Sequence, residues 1–147
     1  MTRILAAVAL VSILAASAAC GHGEPVTQAG CTGSTCSCAA AIGNVCQFDS
    51  TVCGPTGSCV ISCAAKTHCA GTCDKGCNIN CADGARCEAT VGNDATVSCA
   101  ANSTCQITCK SKCMITCGAG AKCEFACWNH GLEGVAPNGT ASCSSVN

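Results

Sequence analysis

From Cys59 onward the chain alternates with period two. Cys59-Val-Ile-Ser-Cys63, Cys77-Asn-Ile-Asn-Cys81, Cys105-Gln-Ile-Thr-Cys109 and Cys113-Met-Ile-Thr-Cys117 each put cysteine, an aliphatic residue and cysteine on one face. Mostly Asn, Gln, Ser and Thr occupy the other. Successive side chains of a strand point to opposite faces, so the pattern predicts half-buried strands and argues against helix. Between the strands lie Asp74-Lys-Gly76, Asp83-Gly84, Gly92-Asn-Asp94 and Lys110-Ser-Lys112, residues that turns select.

The alternation is itself repeated. Cys63, Cys81, Cys99 and Cys117 are 18 residues apart, as are Cys69, Cys87, Cys105 and Cys123, in a unit C-x5-C-x3-C-x3-C-x3. A short fixed period signifies stacked, nearly identical units. The expected fold is all-β: a small disulfide-rich β-solenoid of about four 18-residue coils, each with two five-residue strands and two turns. Stacked cystine-rich hairpins are the alternative. Two inward columns follow, Ile61-Ile79-Val97-Ile115 and Gly71-Ala89-Ile107-Phe125, with Phe125 placed to plug one end.

The array is assigned to residues 53–147, and an irregular Cys-rich head to 31–52, containing Cys31, Cys36, Cys38 and Cys46. Gly139-Thr-Ala-Ser-Cys143 resembles the Asp94–Cys99 stretch and reads as a degenerate final rung after an insertion. Residues 20–30, polar and Gly/Pro-bearing, read as a tether, and 1–19 as a signal peptide. Arg3 supplies its charge, Ile4 to Leu14 its apolar run, and Ala15 to Ala19 its small residues.

Composition makes the cysteines the main structural resource. There are 21 of them against two Phe, one Trp and no Tyr, so a core of large side chains is not available. Small domains of this kind are cross-linked by disulfides in oxidising compartments. Cys59 and Cys63 end one strand, roughly 13 Å apart at 3.3 Å per residue, too far to bond each other. Pairing therefore crosses a turn or joins stacked coils. The second unit decides between these, because Val91 and Ala95 replace its third and fourth cysteines together. Turn-crossing bonds Cys73–Cys77 and Cys109–Cys113 leave no orphan, whereas bonds along the columns would leave two. The same rule gives Cys53–Cys59, Cys63–Cys69, Cys81–Cys87, Cys99–Cys105 and Cys117–Cys123, with Cys127–Cys143 across the insertion. The four head cysteines form two further bonds, with Cys36–Cys38 the least favoured pairing because adjacent C-x-C bridges are strained.

The signal ends Ser17-Ala18-Ala19-Cys20-Gly21. Small residues before a cysteine resemble the lipobox of bacterial lipoproteins, with Ser17 standing where that family usually carries leucine. The resemblance implies that Cys20 is lipidated and that the lipid bilayer is a partner. Ordinary cleavage after Ala18 is the competing reading. Cysteine parity favours lipidation, since 21 less Cys20 leaves 20, which can pair completely.

Without Arg3 the chain has 6 basic residues (7 less 1) and 8 acidic ones, a net charge near −2 that argues against nucleic acid as a partner. Metal sites favour C-x2-C or clustered Cys and His. Here one C-x-C and scattered His22, His68 and His130 make no such set, and no cofactor is expected. No catalytic triad order or nucleophile motif is present, so an enzyme is not expected. His68, Arg86 and Lys122 precede the second cysteine of their units and form a candidate binding edge, or a device against edge-to-edge aggregation. Thr72, Thr90 and Thr108 form a hydroxyl column, and the flat disulfide-braced architecture resembles that of insect antifreeze proteins. Those carry paired T-x-T ladders, whereas each strand here has one threonine. The expected function is an exported, lipid-anchored structural protein of the bacterial cell envelope or outer membrane. The alternatives are a secreted form, or a module binding an envelope glycan or protein through its polar face or basic edge.

Overall fold

A computed structural model describes residues 26–32, 34–39, 44–53, 58–128 and 133–144, with the side chains of Val52, Cys53 and Glu133 outside that set. The expected signal peptide, Cys20 and residues 21–25 of the tether lie outside the described residues.

The strands in the first half are β1 (Val26–Gln28), β2 (Gly30–Thr32), β3 (Thr35–Cys38), β4 (Val45–Phe48), β5 (Val60–Cys63), β6 (His68–Lys75) and β7 (Asn78–Cys81). They continue as β8 (Arg86–Asn93), β9 (Thr96–Cys99), β10 (Thr104–Ser111), β11 (Met114–Cys117), β12 (Lys122–Cys127), β13 (Glu133–Val135) and β14 (Thr140–Ser142). One sheet has the order β1-β4-β6-β8-β10-β12-β13, the other β14-β11-β9-β7-β5-β3-β2. The chain alternates between them, and like strands of successive coils pair in parallel. The fold is a β-solenoid.

It has about five coils, one more than the 18-residue period predicts, because the head belongs to the stack. β4 pairs with β6 with Cys46 opposite Cys69, an offset of 23 residues (69 − 46). β3 pairs with β5 with Cys38 opposite Cys63, an offset of 25 (63 − 38). Val26–Gln28, read as tether, is likewise a strand, parallel to β4. The C-terminal stretch differs from expectation in direction. The chain has reversed by β13, and the turn that follows, with Gly139 N–H donating to the Ala136 carbonyl at 2.8 Å and Asn138 at a φ of 57°, carries it across to the other sheet. β14 then runs antiparallel to β11, as β13 does to β12. It is a cap over the last coil, not a further rung, and such caps cover the edge strands that invite aggregation.

Period-18 turns make the coils. Thr67, Ala85, Ser103 and Ala121 each donate N–H to the carbonyl three residues earlier, at 3.0–3.3 Å. Lys66, Gly84, Asn102 and Gly120, third in each turn, have φ of 55–70°, which makes these type II turns. At the opposite edge Gly76, Asp94 and Lys112 are also left-handed. The long strands β6, β8 and β10 have eight residues where five were expected, because pairing carries on past the cysteine to Lys75, Asn93 and Ser111.

The interior is thin. Ile61, Ile79, Val97 and Ile115 are fully buried in one column. The other reads Phe48-Gly71-Ala89-Ile107-Phe125 by register. Both its ends are aromatic, and the glycine has a clear cause. A Cβ on Gly71 would lie 1.9 Å from the Phe48 carbonyl oxygen and 2.7 Å from its ring.

Candidate functional site

The two edges of the rod are chemically distinct. At the type II turns, Cys63–Cys69, Cys81–Cys87, Cys99–Cys105 and Cys117–Cys123 are disulfides with Cα–Cα distances of 6.2–6.6 Å. Cys38–Cys46, at 5.6 Å, stands in the same register one coil earlier. The opposite edge holds Cys73–Cys77 and Cys109–Cys113, and Val91 and Ala95 occupy the coil between them, fully buried. Cys127–Cys143 ties the cap to the last coil. In the head Cys31 bonds Cys36. Cys36 and Cys38 both point inward two residues apart on β3, and Cys36 stands opposite Ile61. Cys59 is disulfide-bonded, while the side chain of Cys53, its expected partner, lies outside the described residues.

Among the described residues, three sulfur groups are close enough to hold a metal ion: Cys38, Cys63 and Cys69; Cys63, Cys81 and Cys87; Cys81, Cys99 and Cys105. All of these sulfurs are in disulfides, however, and it is the thiolate that ligates.

The outer face of the long-strand sheet carries three polar columns. His68-Arg86-Thr104-Lys122 lies at one side, Gln47-Ala70-Glu88-Gln106-Glu124 next to it, then Thr72-Thr90-Thr108. The candidate basic edge is not a bare cationic stripe. Arg86 Nε donates to Glu88 Oε1 at 2.6 Å, Nη2 of the same guanidinium pairs with that oxygen, and His68 Nε2 lies 3.5 Å from it. Gln106 donates to Glu124 at 2.8 Å in the coils that follow. Across the Gly92 position, Lys110 reaches Asp74 at 3.2 Å. The Ser50 hydroxyl, and after it Lys110, hold the Asp74 carboxyl below its ordinary range.

No family model, curated protein or solved structure matches this chain.

Ala70 and Gly71 leave the polar face locally hollow. An open depression of about 370 Å³ is lined by Glu88, Thr90, Gln106 and Thr108. Another of about 250 Å³ continues it towards Gln28, Gln47 and Asp49. It offers carboxylate, amide and hydroxyl groups at the coil spacing, suited to hydrogen bonding an extended polar ligand. The partnership of Glu88 with the basic column was not foreseen, although Arg86-x-Glu88 sits in the sequence at the two-residue spacing that shares a strand face.

Proposed function

We propose that this protein is an exported, lipid-anchored rigid element of a bacterial cell envelope. The observation that carries the proposal is the cross-linking of coil after coil at its turns, in a stack whose short strands β5, β7, β9 and β11 each contribute one aliphatic residue to the interior. Five coils at about 4.8 Å each make a rod about 20–25 Å long. Cystines at this density fit an oxidising, extracytoplasmic compartment. Gly21 to Pro25 separates Cys20 from the first strand and would join the lipid to the rod.

Intact mass of the native protein from membranes, before and after reduction, tests this reading. Cleavage before Cys20 with two or more acyl chains is expected, since one chain anchors only weakly. The 20 remaining cysteines should take up about 20 Da on reduction, one hydrogen each. A soluble protein with a free N-terminus, or Cys20 in a disulfide, defeats the anchoring. Native protein digested as fast as reduced protein defeats the rigid-element role.

The depression beside Glu88 and Gln106 supports a second reading, a module for an envelope glycan or protein. The polar face is the better candidate here than the basic edge, because Glu88 already engages Arg86 and His68. Its test is binding to an envelope glycan panel, with the signal lost in Gln106→Ala and Thr90→Ala.

A further inference from the structure

We infer that the type II turn edge is a thiol–disulfide exchange relay running from Cys38 towards Cys99. In each of the three sulfur groups the first cysteine lies on a short strand, and the other two form the disulfide of the next coil. Cys38 is thus within 4.8 Å of both sulfurs of Cys63–Cys69, Cys63 of both sulfurs of Cys81–Cys87, and Cys81 of both sulfurs of Cys99–Cys105. Disulfides isomerise when a thiolate attacks one sulfur and displaces the other. From within 4.8 Å, a shift of about 1–2 Å brings such sulfurs to attack distance without diffusion.

The steps balance. A Cys38 thiolate attacks Cys69; the Cys38–Cys69 bond forms, the Cys63–Cys69 bond breaks, and Cys63 leaves as the thiolate. Cys63 attacks Cys87 and releases Cys81. Cys81 attacks Cys105 and releases Cys99. Each step makes one S–S bond and breaks one, with no net oxidation, and the negative charge advances one coil. In the intact protein the first thiolate requires a dithiol or phosphine that reduces Cys38–Cys46. Every sulfur concerned, that of Cys46 included, belongs to a residue no more than 2% exposed, so reduction of Cys38–Cys46 requires local opening of the first coil. The opposite edge is the internal control. Cys73 has Val91 beside it in the next coil, and Ala95 takes the place of that coil's other edge cysteine. A thiol at Cys73 therefore has no neighbouring disulfide to attack in that coil.

The test uses Cys46→Ser, which leaves Cys38 as a thiol, incubated at mildly alkaline pH and quenched in acid. Thiols are then labelled with a maleimide under denaturant, and peptides are mapped without reduction. Label is expected on Cys63, Cys81 and Cys99 as well as Cys38, with Cys38–Cys69 peptides recovered. If the four positions are equivalent, about three quarters of the label leaves Cys38. In Cys77→Ser no label should reach Cys109 or Cys113, since the Val91 and Ala95 coil intervenes. Label confined to Cys38 with Cys63–Cys69 intact overturns the relay, and so does label on Cys109 or Cys113 in Cys77→Ser. Should Cys46→Ser fail to fold, Cys69→Ser places the thiol at Cys63. Migration to Cys81 and Cys99 then supports the relay, and retention at Cys63 refutes it.

Discussion

Replacing Val91 and Ala95 together by cysteine should add a disulfide to the one coil that lacks a bond at that edge. Val91 stands in register between Cys73 and Cys109, and Ala95 follows the turn as Cys77 and Cys113 do. The flanking bonds span Cα–Cα distances of 6.3 and 6.0 Å, within the range a disulfide accepts. Closing so short a loop constrains the unfolded chain by about 2 kcal/mol in the chain-entropy estimate. Losing one buried methyl of Val91 offsets roughly 0.8 kcal/mol of this. The gain is also limited by the turn itself: a Cβ on Gly92 would lie 1.6 Å from the Asp74 carbonyl oxygen, so the backbone there has little freedom to adjust. A net gain of about 1 kcal/mol is expected, or roughly 3–5 °C in melting temperature for a chain of this size. Non-reducing thermal melts and intact mass measure it. Val91→Cys alone should leave a free thiol and no gain. Two free thiols in the double variant, or a lower melting temperature than the parent, would refute the reasoning. So would peptides linking Cys59 to Cys77 or Cys109 to Cys127.

Three further outcomes follow from the geometry. Gly71→Ala should destabilise by roughly 2–3 kcal/mol, because its Cβ meets the Phe48 carbonyl and ring; thermal melts check this, and a loss below 1 kcal/mol would contradict the close approach. Lys112→Gly should raise the melting temperature slightly, since Lys112 holds a φ of 51° at a left-handed cost of roughly 1–2 kcal/mol, reduced by the entropy glycine brings to the unfolded chain. Asp74 has its folded pKa depressed below 3.8, first by Ser50 and then by Lys110. Its contribution is therefore present above the ordinary carboxylate value and lost as pH falls through the folded one. Asp74→Asn should flatten that part of the melting-temperature profile below pH 4, and an unchanged profile would show that the pairing is inert.

What the sequence made legible was whatever obeyed the 18-residue period. The cysteines at 63, 81, 99 and 117, and the inward Ile79 and Val97 between them, specify coils, because one shift of 18 brings every inward residue over another. The first coil escaped this reading for a geometric reason. Its two pairings are offset by 23 and 25 residues, so Cys46 and Cys38 fall out of the period while keeping their place in the stack. Phe48 falls out of the period with them, so the sequence column begins at Gly71 and does not show the ring for which that glycine leaves room. The direction of the final rung was not legible either. Thr140-Ala-Ser-Cys143 has the alternation of a strand in either orientation, and its direction is inherited from β13, which already runs antiparallel to β12. The basic column was read along its own length, and its chemistry depends on Glu88 one column away.

The cystines answer two separate demands. The interior offers one aliphatic residue from each of the short strands β5, β7, β9 and β11 and, in places, only Gly71 or Ala89 from the long ones. Ordering the backbone costs about 1–2 kcal/mol per residue, and burial at about 25 cal/mol per Å² in so thin a stack is a weak opposing force. Bonds that limit the unfolded chain supply what the core does not, so reduction should unfold the rod. A rod that depends on its bond count tolerates only chemistry that conserves it. Exchange along the Cys38–Cys99 edge meets that condition, since every step forms one bond for each it breaks. The opposite edge is interrupted at Val91 and Ala95, so a thiol there has no bonded step between Cys73–Cys77 and Cys109–Cys113. The proposed exchange requires a continuous sulfur ladder, which the type II edge has and the opposite edge, at Val91 and Ala95, lacks.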